Sequence, residues 1–396
     1  MEVTRAIDVS YWASQSPVTD PGNAATAIGK LPDDISALRR ASSQMIFHYR
    51  ADGDFAENGV PAGRMAEIDT RYADAMLGLL LQRGDPALDR DRPPSERAVG
   101  CCRDATILFL TLARAKGMPA RARVGFAAYL TPGWLIDHVV AEVWDKTEGR
   151  WRIVDPEMDT AWTPEVNGIP VNWLDLTQDQ FVTGPRAWLA ARAGTSDPER
   201  HVVTPDLGIP DTRGWPEIAH HVVHDLAALN KTEMLVWDSW GLLDAAWSGG
   251  PSPWAGPPED TTVTDEISAM MDEISAVTAD PAADREALAR IGARDGLRIP
   301  PVVTSHDPNG GPPRQVDVSR ALAAPGQLST FSEQYHLISH SHRVMVTSAR
   351  NLRRARVPVR VASVATRGGI RRVAAGGRRF AGRLCTQLRG TLVRPA

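Results

Sequence analysis

The stretch GCCRDATILFLTLARAKGMPARARVGF, residues 100–126, constrains the fold more than any other part of the chain. Behind two adjacent cysteines comes a polar first turn, Arg103 and Asp104, and then apolar Ile107, Leu108, Leu110, Leu112 and Ala113 at helical spacing. Gly117 and Pro119 stop the pattern, so the spacing predicts a helix over 102–117. Three β-like runs follow: RARVGFAAYL (121–130), HVVAEVWD (138–145) and RWRIVDP (150–156). DKTEGR (145–150) reads as the turn between the last two. One helix leading into an antiparallel sheet gives an α+β fold class.

This order places three reactive side chains. A helix N-terminus lowers the pKa of a thiol, and Cys102 sits where the helix starts. His138 opens the second strand and Asp155 closes the third. With a hairpin turn at 145–150, facing residue numbers sum to roughly 295, which sets His138 diagonally across from Asp155 on one face. A one-residue slip would part them. A thiol, an imidazole that takes its proton and a carboxylate that orients the imidazole make a nucleophilic site. Working together, the Cys102 sulfur and a His138 ring nitrogen lie within about 4 Å.

GCCRD with its helix, GMPARARVGF, DHVVAEVWD and GRWRIVDPEMD together resemble the transglutaminase-like superfamily, relatives of the papain-like cysteine proteases. The resemblance covers about residues 98–160 and extends more loosely to DLAALNKTEMLVWDSWGL (225–242). It implies a papain-like core with Cys102 as nucleophile, His138 as base and Asp155 as orienting acid, and it leaves Cys101 on a variable position. The implied chemistry is thiolate attack on a carboxamide or peptide carbonyl, with no cofactor and no metal. A thioester acyl-enzyme results, resolved by water in a hydrolase or by an amine in a transamidase; hydrolysis is the favoured outcome. The implied partner is a peptide or protein substrate. The Cys102 backbone N–H is a natural oxyanion donor. The chain departs from papain-type patterns in having no matching glutamine before Cys102, so no motif names the second donor.

Around this core, 33–50, 66–84, 217–231, 265–280 and 284–294 read as helices, and 14–34, 51–64, 85–97 and the Pro-rich 298–327 as loops. The expected division is a helical N-terminal portion (1–97), the catalytic core (98–160), its helical continuation (161–255), helices with a Pro-rich segment (256–339) and a basic, disordered tail (340–396). From Arg343 onward there are 14 arginines, no lysine and no acidic residue, leaving 30 basic against 48 acidic residues elsewhere. Such a tail suits an anionic partner: nucleic acid, an anionic membrane or the acidic body of the chain itself.

Cys101, Cys102 and Cys385 are too few for a disulfide framework and suit a reducing compartment. MEVTRAIDVSYWASQ lacks the basic start and apolar run of a secretory leader, so the expectation is a cytoplasmic protein. The longest apolar stretches, such as ATILFLTLA (105–113), are too short to span a bilayer.

Cys101, about 100° around a helix from its neighbour, is expected to pack. Arg103 and Asp104 are expected to serve the helix end or an internal salt bridge, and Trp144 and Trp151 to sit in the core. His220, His221 and His224 form an HHxxH cluster that lacks the Glu of HExxH and a further ligand, so it reads as structural. Two competing readings are a non-catalytic scaffold, in which Cys102 is buried or the triad is apart, and a nucleic-acid-associated factor acting through the tail.

Overall fold

The structure, a computed structural model, describes residues 9–158, 161–207, 212–247, 262–279 and 284–323. The arginine-rich segment 340–396 and Cys385 lie outside them.

After a single helical turn at Ala25–Gly29, the helix α1 (Ile35–Ser43) is capped by Asp34, whose carboxylate accepts the Ala37 N–H at 2.8 Å. It runs into β1 (Ile46–His48), which pairs in parallel with β2 (Ala98–Gly100). Between these strands lies α2 (Ala73–Leu81), and β2 feeds directly into α3 (Cys102–Ala115). The sheet that follows holds β3 (Ala120–Ala127), β4 (Leu135–Asp145), β5 (Arg150–Val154) and β6 (Phe181–Thr183) in the order β5-β4-β3-β6, all antiparallel. A short parallel strand, β7 (His201–Val202), adds to the start of β4. The fold is therefore α+β, with α3 lying against β3 and β4.

The register of the central hairpin is the one the turn implies. Trp144 faces Trp151 and Ala141 faces Val154. Buried on all sides, α3 carries no exposed face along Cys102–Arg114, which explains its nearly continuous apolar run. Trp151 packs edge-on against Trp12 and Trp144, as core residues do.

Beyond the sheet come α4 (Gly184–Arg192), α5 (Gly214–Leu229), α6 (Thr262–Thr278) and α7 (Arg285–Gly292). One hydrophobic core runs through these elements, from Trp12 to Ala321. A smaller cluster of Ala127, Tyr129, Val140, Ile153, Trp173, Leu176 and Phe181 sits beside it. Among the described residues no helix is long and apolar enough to cross a membrane.

Four local expectations are corrected. The segment read as a loop over 14–34 contains a 3-10 turn, Gly22–Ala24, and a short α-helix, Ala25–Gly29, whose Ile28 is buried in the core. The helix read over 66–84 is broken into a 3-10 segment, Ala62–Asp69, and α2, because Arg71 leaves helical geometry to place its guanidinium on the buried Asp238 carboxylate, with Nη2 2.9 Å from Oδ1. The helix read over 33–50 ends at Ser43, and the remainder supplies β1. The loop read over 298–327 contains β9 (Val302–Ser305) and β10 (Arg314–Asp317), which extend the two-residue β8 (Asp238–Ser239) into a small sheet. Prolines at 300–301 and 312–313 flank these strands and mask them in the sequence.

Burial of charge is the other organising feature. Arg121 and Arg123 on β3 share the Glu142 carboxylate on β4, at 2.6 and 3.0 Å. Arg123 also forks onto Asp225 of α5, at 3.0 and 2.9 Å, and Asp225 accepts the Val124 N–H. This network bolts α5 to the sheet. Removing one partner strands a buried cation, so Asp225→Ala should cost about 3–5 kcal/mol. Equilibrium denaturation measures this, and a loss under about 1 kcal/mol, the size of an exposed pair, would contradict it.

Candidate functional site

The site begins at the entrance to α3. Cys101 is not on the helix but caps it, in extended backbone at φ −138° and ψ −171°. Its N–H donates to the Asp104 carboxylate at 2.9 Å. Asp104 in turn accepts from Arg103 Nη1 at 2.9 Å, and Arg103 Nη2 donates to the Arg71 carbonyl at 2.9 Å. Gly100 makes room for this: a Cβ there would come within 2.5 Å of Asp104 Oδ2. The RD pair thus fixes the chain end from which Cys102 projects, and the Cys102 N–H is among the first-turn donors that no i−4 carbonyl reaches.

His138 sits on β4 opposite Gly125, where the neighbouring strand leaves no space for a side chain; a Cβ would lie 2.3 Å from the Val182 carbonyl oxygen. His138 Nε2 is 2.9 Å from Asp155 Oδ2. The same oxygen accepts the Tyr129 hydroxyl at 2.5 Å, and Oδ1 accepts the Glu157 N–H at 2.9 Å. The Asp155 carbonyl accepts Arg39 Nε of α1 at 2.7 Å. Glu157 completes the group. Its Oε2 stands 3.9 Å from His138 Nδ1, and donor atoms of Cys102, His138 and Glu157 all lie within 4.8 Å of one another.

The structure brings Cys102, His138 and Asp155 together. The thiol–imidazole separation falls under 4.8 Å. The sequence pattern missed Glu157, Tyr129, Arg39 and His48. Glu157 and Tyr129 lie inside DPEMD and VGFAAYL, where only the strand geometry marks them. Arg39 and His48 come from α1 and β1, more than fifty residues before Cys102 in the chain, with no local signal.

The electrostatics correct one expectation. The Cys102 thiol is not lowered but held well above its ordinary pKa, by the hydrogen bond it shares with the Cys101 thiol, by burial, and by the Asp137 and Glu157 carboxylates. The helix terminus is outweighed by this company of thiol and carboxylates. Burial opposes a charge on His138, but the Asp155 carboxylate overcomes it and raises the imidazole above its ordinary value. Asp155 stays ionised: burial works against it, yet His138, Tyr129 and the Glu157 N–H lower its pKa. Burial lifts Glu157 to about 8. At rest the arrangement therefore holds a neutral thiol beside a basic imidazole, suited to passing one proton from sulfur to nitrogen as a carbonyl arrives.

Two triplets offer donor atoms close enough for a cation, Cys102–His138–Glu157 and Asp137–Glu217–His221. In the second, His221 spends both nitrogens internally, Nδ1 on the Glu217 carbonyl and Nε2 on Asp137, each at 2.8 Å. His220 and His224 stack on each other and direct Nε2 at the Val236 and Asp238 carbonyls, at 2.8 and 3.0 Å. The HHxxH side chains thus pack and hydrogen-bond within α5 and from it to Asp137 of β4, to Val236 and to Asp238.

Residues 87–156 match the family model of the transglutaminase-like superfamily, a span that includes α3, β3 to β5, Cys102, His138 and Asp155. No curated protein matches the sequence. Among solved structures, that of a candidate cysteine protease from Cytophaga hutchinsonii is similar at 16% identity and a TM-score of 0.26, over 44% of this chain and 45% of that one. This chain thus spans under half the length of that protein, and the likeness carries no argument here. The matched segment ends at Pro156, one residue short of Glu157.

Asp155 is what raises His138, so Asp155→Asn should move the imidazole pKa down by about 1–3 units. Histidine titration by NMR reads the shift; an unchanged His138 would show that the pair does not govern the ring.

Proposed function

We propose that this protein is a cysteine-dependent acyl-transfer enzyme acting on amide bonds of peptides or proteins. Cys102 is the nucleophile, His138 the base and Asp155 the group that orients it. The supporting observation is the convergence of the Cys102 thiol and the His138 ring within 4.8 Å, with His138 Nε2 held by Asp155. Sulfur attacks the carbonyl carbon as its proton passes to His138. The tetrahedral adduct collapses, the C–N bond breaks, and the departing amine takes that proton. Water, our preferred acceptor over an amine, then cleaves the thioester. A reducing compartment such as the cytoplasm would keep Cys101 and Cys102 as thiols. The arginine-rich segment is proposed to meet an anionic partner, through contacts that weaken as salt rises.

One observation favours a second reading, a non-catalytic protein that retains the fold: Cys102 is only 5% exposed. An electrophilic peptide library, read by intact mass and peptide mapping, separates the two. Adducts should form on Cys102 rather than Cys101, vanish in Cys102→Ala, and slow by about 10²–10⁴ in His138→Ala. Failure of every peptide to modify Cys102 would favour the scaffold.

A further inference from the structure

The acyl-transfer reading leaves one chemical role without a residue. When sulfur adds to a carbonyl, the C=O electron pair moves onto oxygen, and that oxyanion needs two donors. One is the Cys102 N–H. The second must be an N–H or O–H held beside the start of α3, with its proton aimed into the site and not spent on a protein acceptor.

His48 meets each requirement. It is the last residue of β1 and pairs in register with Gly100, two residues before Cys102. The Tyr49 N–H donates to the Gly100 carbonyl at 3.0 Å, which ties this corner to the strand that delivers the nucleophile. The ring's tautomer is fixed by the backbone. Nδ1 accepts two N–H groups, from Arg50 at 3.1 Å and Ala51 at 3.0 Å, so it carries no proton. The ring is therefore neutral with its hydrogen on Nε2. That nitrogen faces the catalytic group, 3.9 Å from Oε1 of Glu157, whose other oxygen is 3.9 Å from His138 Nδ1. A separation of 3.9 Å is too long for a hydrogen bond. Among the described residues no acceptor lies within hydrogen-bonding distance of His48 Nε2. The ring is stacked on Tyr49 at 5.5 Å and an interplanar angle of 12°, which holds its plane. Burial and the neighbouring His138 lower its pKa to about 4, keeping it a neutral donor across the working range.

We propose that His48 is the second oxyanion donor, its Nε2–H acting with the Cys102 N–H on the oxygen of the tetrahedral adduct. The inference rests on Cys102 being the acylated nucleophile. Glutamine before the cysteine does this work in the papain-type pattern; here a histidine from a separate strand takes the place. The Glu157 carboxyl lies between His48 and His138, 3.9 Å from a ring nitrogen of each.

Two reagents on the full-length chain separate this role from others. Acetylation of Cys102 by p-nitrophenyl acetate passes through an oxyanion; alkylation by iodoacetamide does not. His48→Phe keeps a ring against Tyr49 and loses the donor. It should slow acetylation by about 10²–10³, while alkylation changes by no more than about threefold, the scatter of a neutral environment change. His48→Gln restores an N–H donor and should recover at least about tenfold of the acetylation rate, one bond's worth. Equal slowing of both reactions, or of neither, would overturn the assignment. A wild-type Cys102 inert to both reagents would overturn the acyl-transfer reading, and this inference with it.

Discussion

Asp155 is the residue on which the site depends. Its side chain holds the His138 ring, the Tyr129 hydroxyl and the Glu157 N–H, while its carbonyl receives Arg39 from α1. Groups from α1, from just past the end of β3 and from β4 thereby meet at one buried residue, beside an N–H from its own turn. A buried charge without these partners would cost several kcal/mol, so the hydrogen bonds that position His138 are also those that make the charge tolerable. The β4–β5 register delivers Asp155 to this point; a slip of one residue would turn His138 to the other face and cost the carboxylate its imidazole partner.

The entrance to α3 is built differently. Gly100, Cys101, Arg103 and Asp104 use backbone and charge to fix the start of α3, but the same crowding surrounds the Cys102 sulfur with a second thiol and with carboxylates. A resting ion pair between thiolate and imidazolium is disfavoured there. Under the proposed mechanism the thiol would keep its proton until a carbonyl is in place and negative charge develops on the carbonyl oxygen. A thiol that keeps its proton is the less reactive form of cysteine, so its reactions in the empty site are slowed.

Much of this was legible in the sequence. The long apolar helix, the turn at 145–150 and the alternation of the strands are local signals, and they yielded the fold class, the hairpin register and Cys102, His138 and Asp155. What escaped depends on contacts between distant segments. β1 and β2 are three residues each and exist only as a pair, so His48 looked like the end of a helix. Arg71 breaks its helix to satisfy Asp238, far along the chain. The direction of the Cys102 shift was misread because a helix terminus is visible in sequence, whereas burial beside Cys101, Asp137 and Glu157 is a property of the folded site.

The most direct test of the account is the structure of the full-length protein soaked with a peptide aldehyde, whose carbonyl can add a thiol reversibly. The account predicts a covalent bond from Cys102 Sγ to the aldehyde carbon, with His138 Nδ1 facing the adduct and its Nε2 still on Asp155. An aldehyde bound in the site beside an unmodified Cys102, or one joined to Cys101 instead, would contradict it.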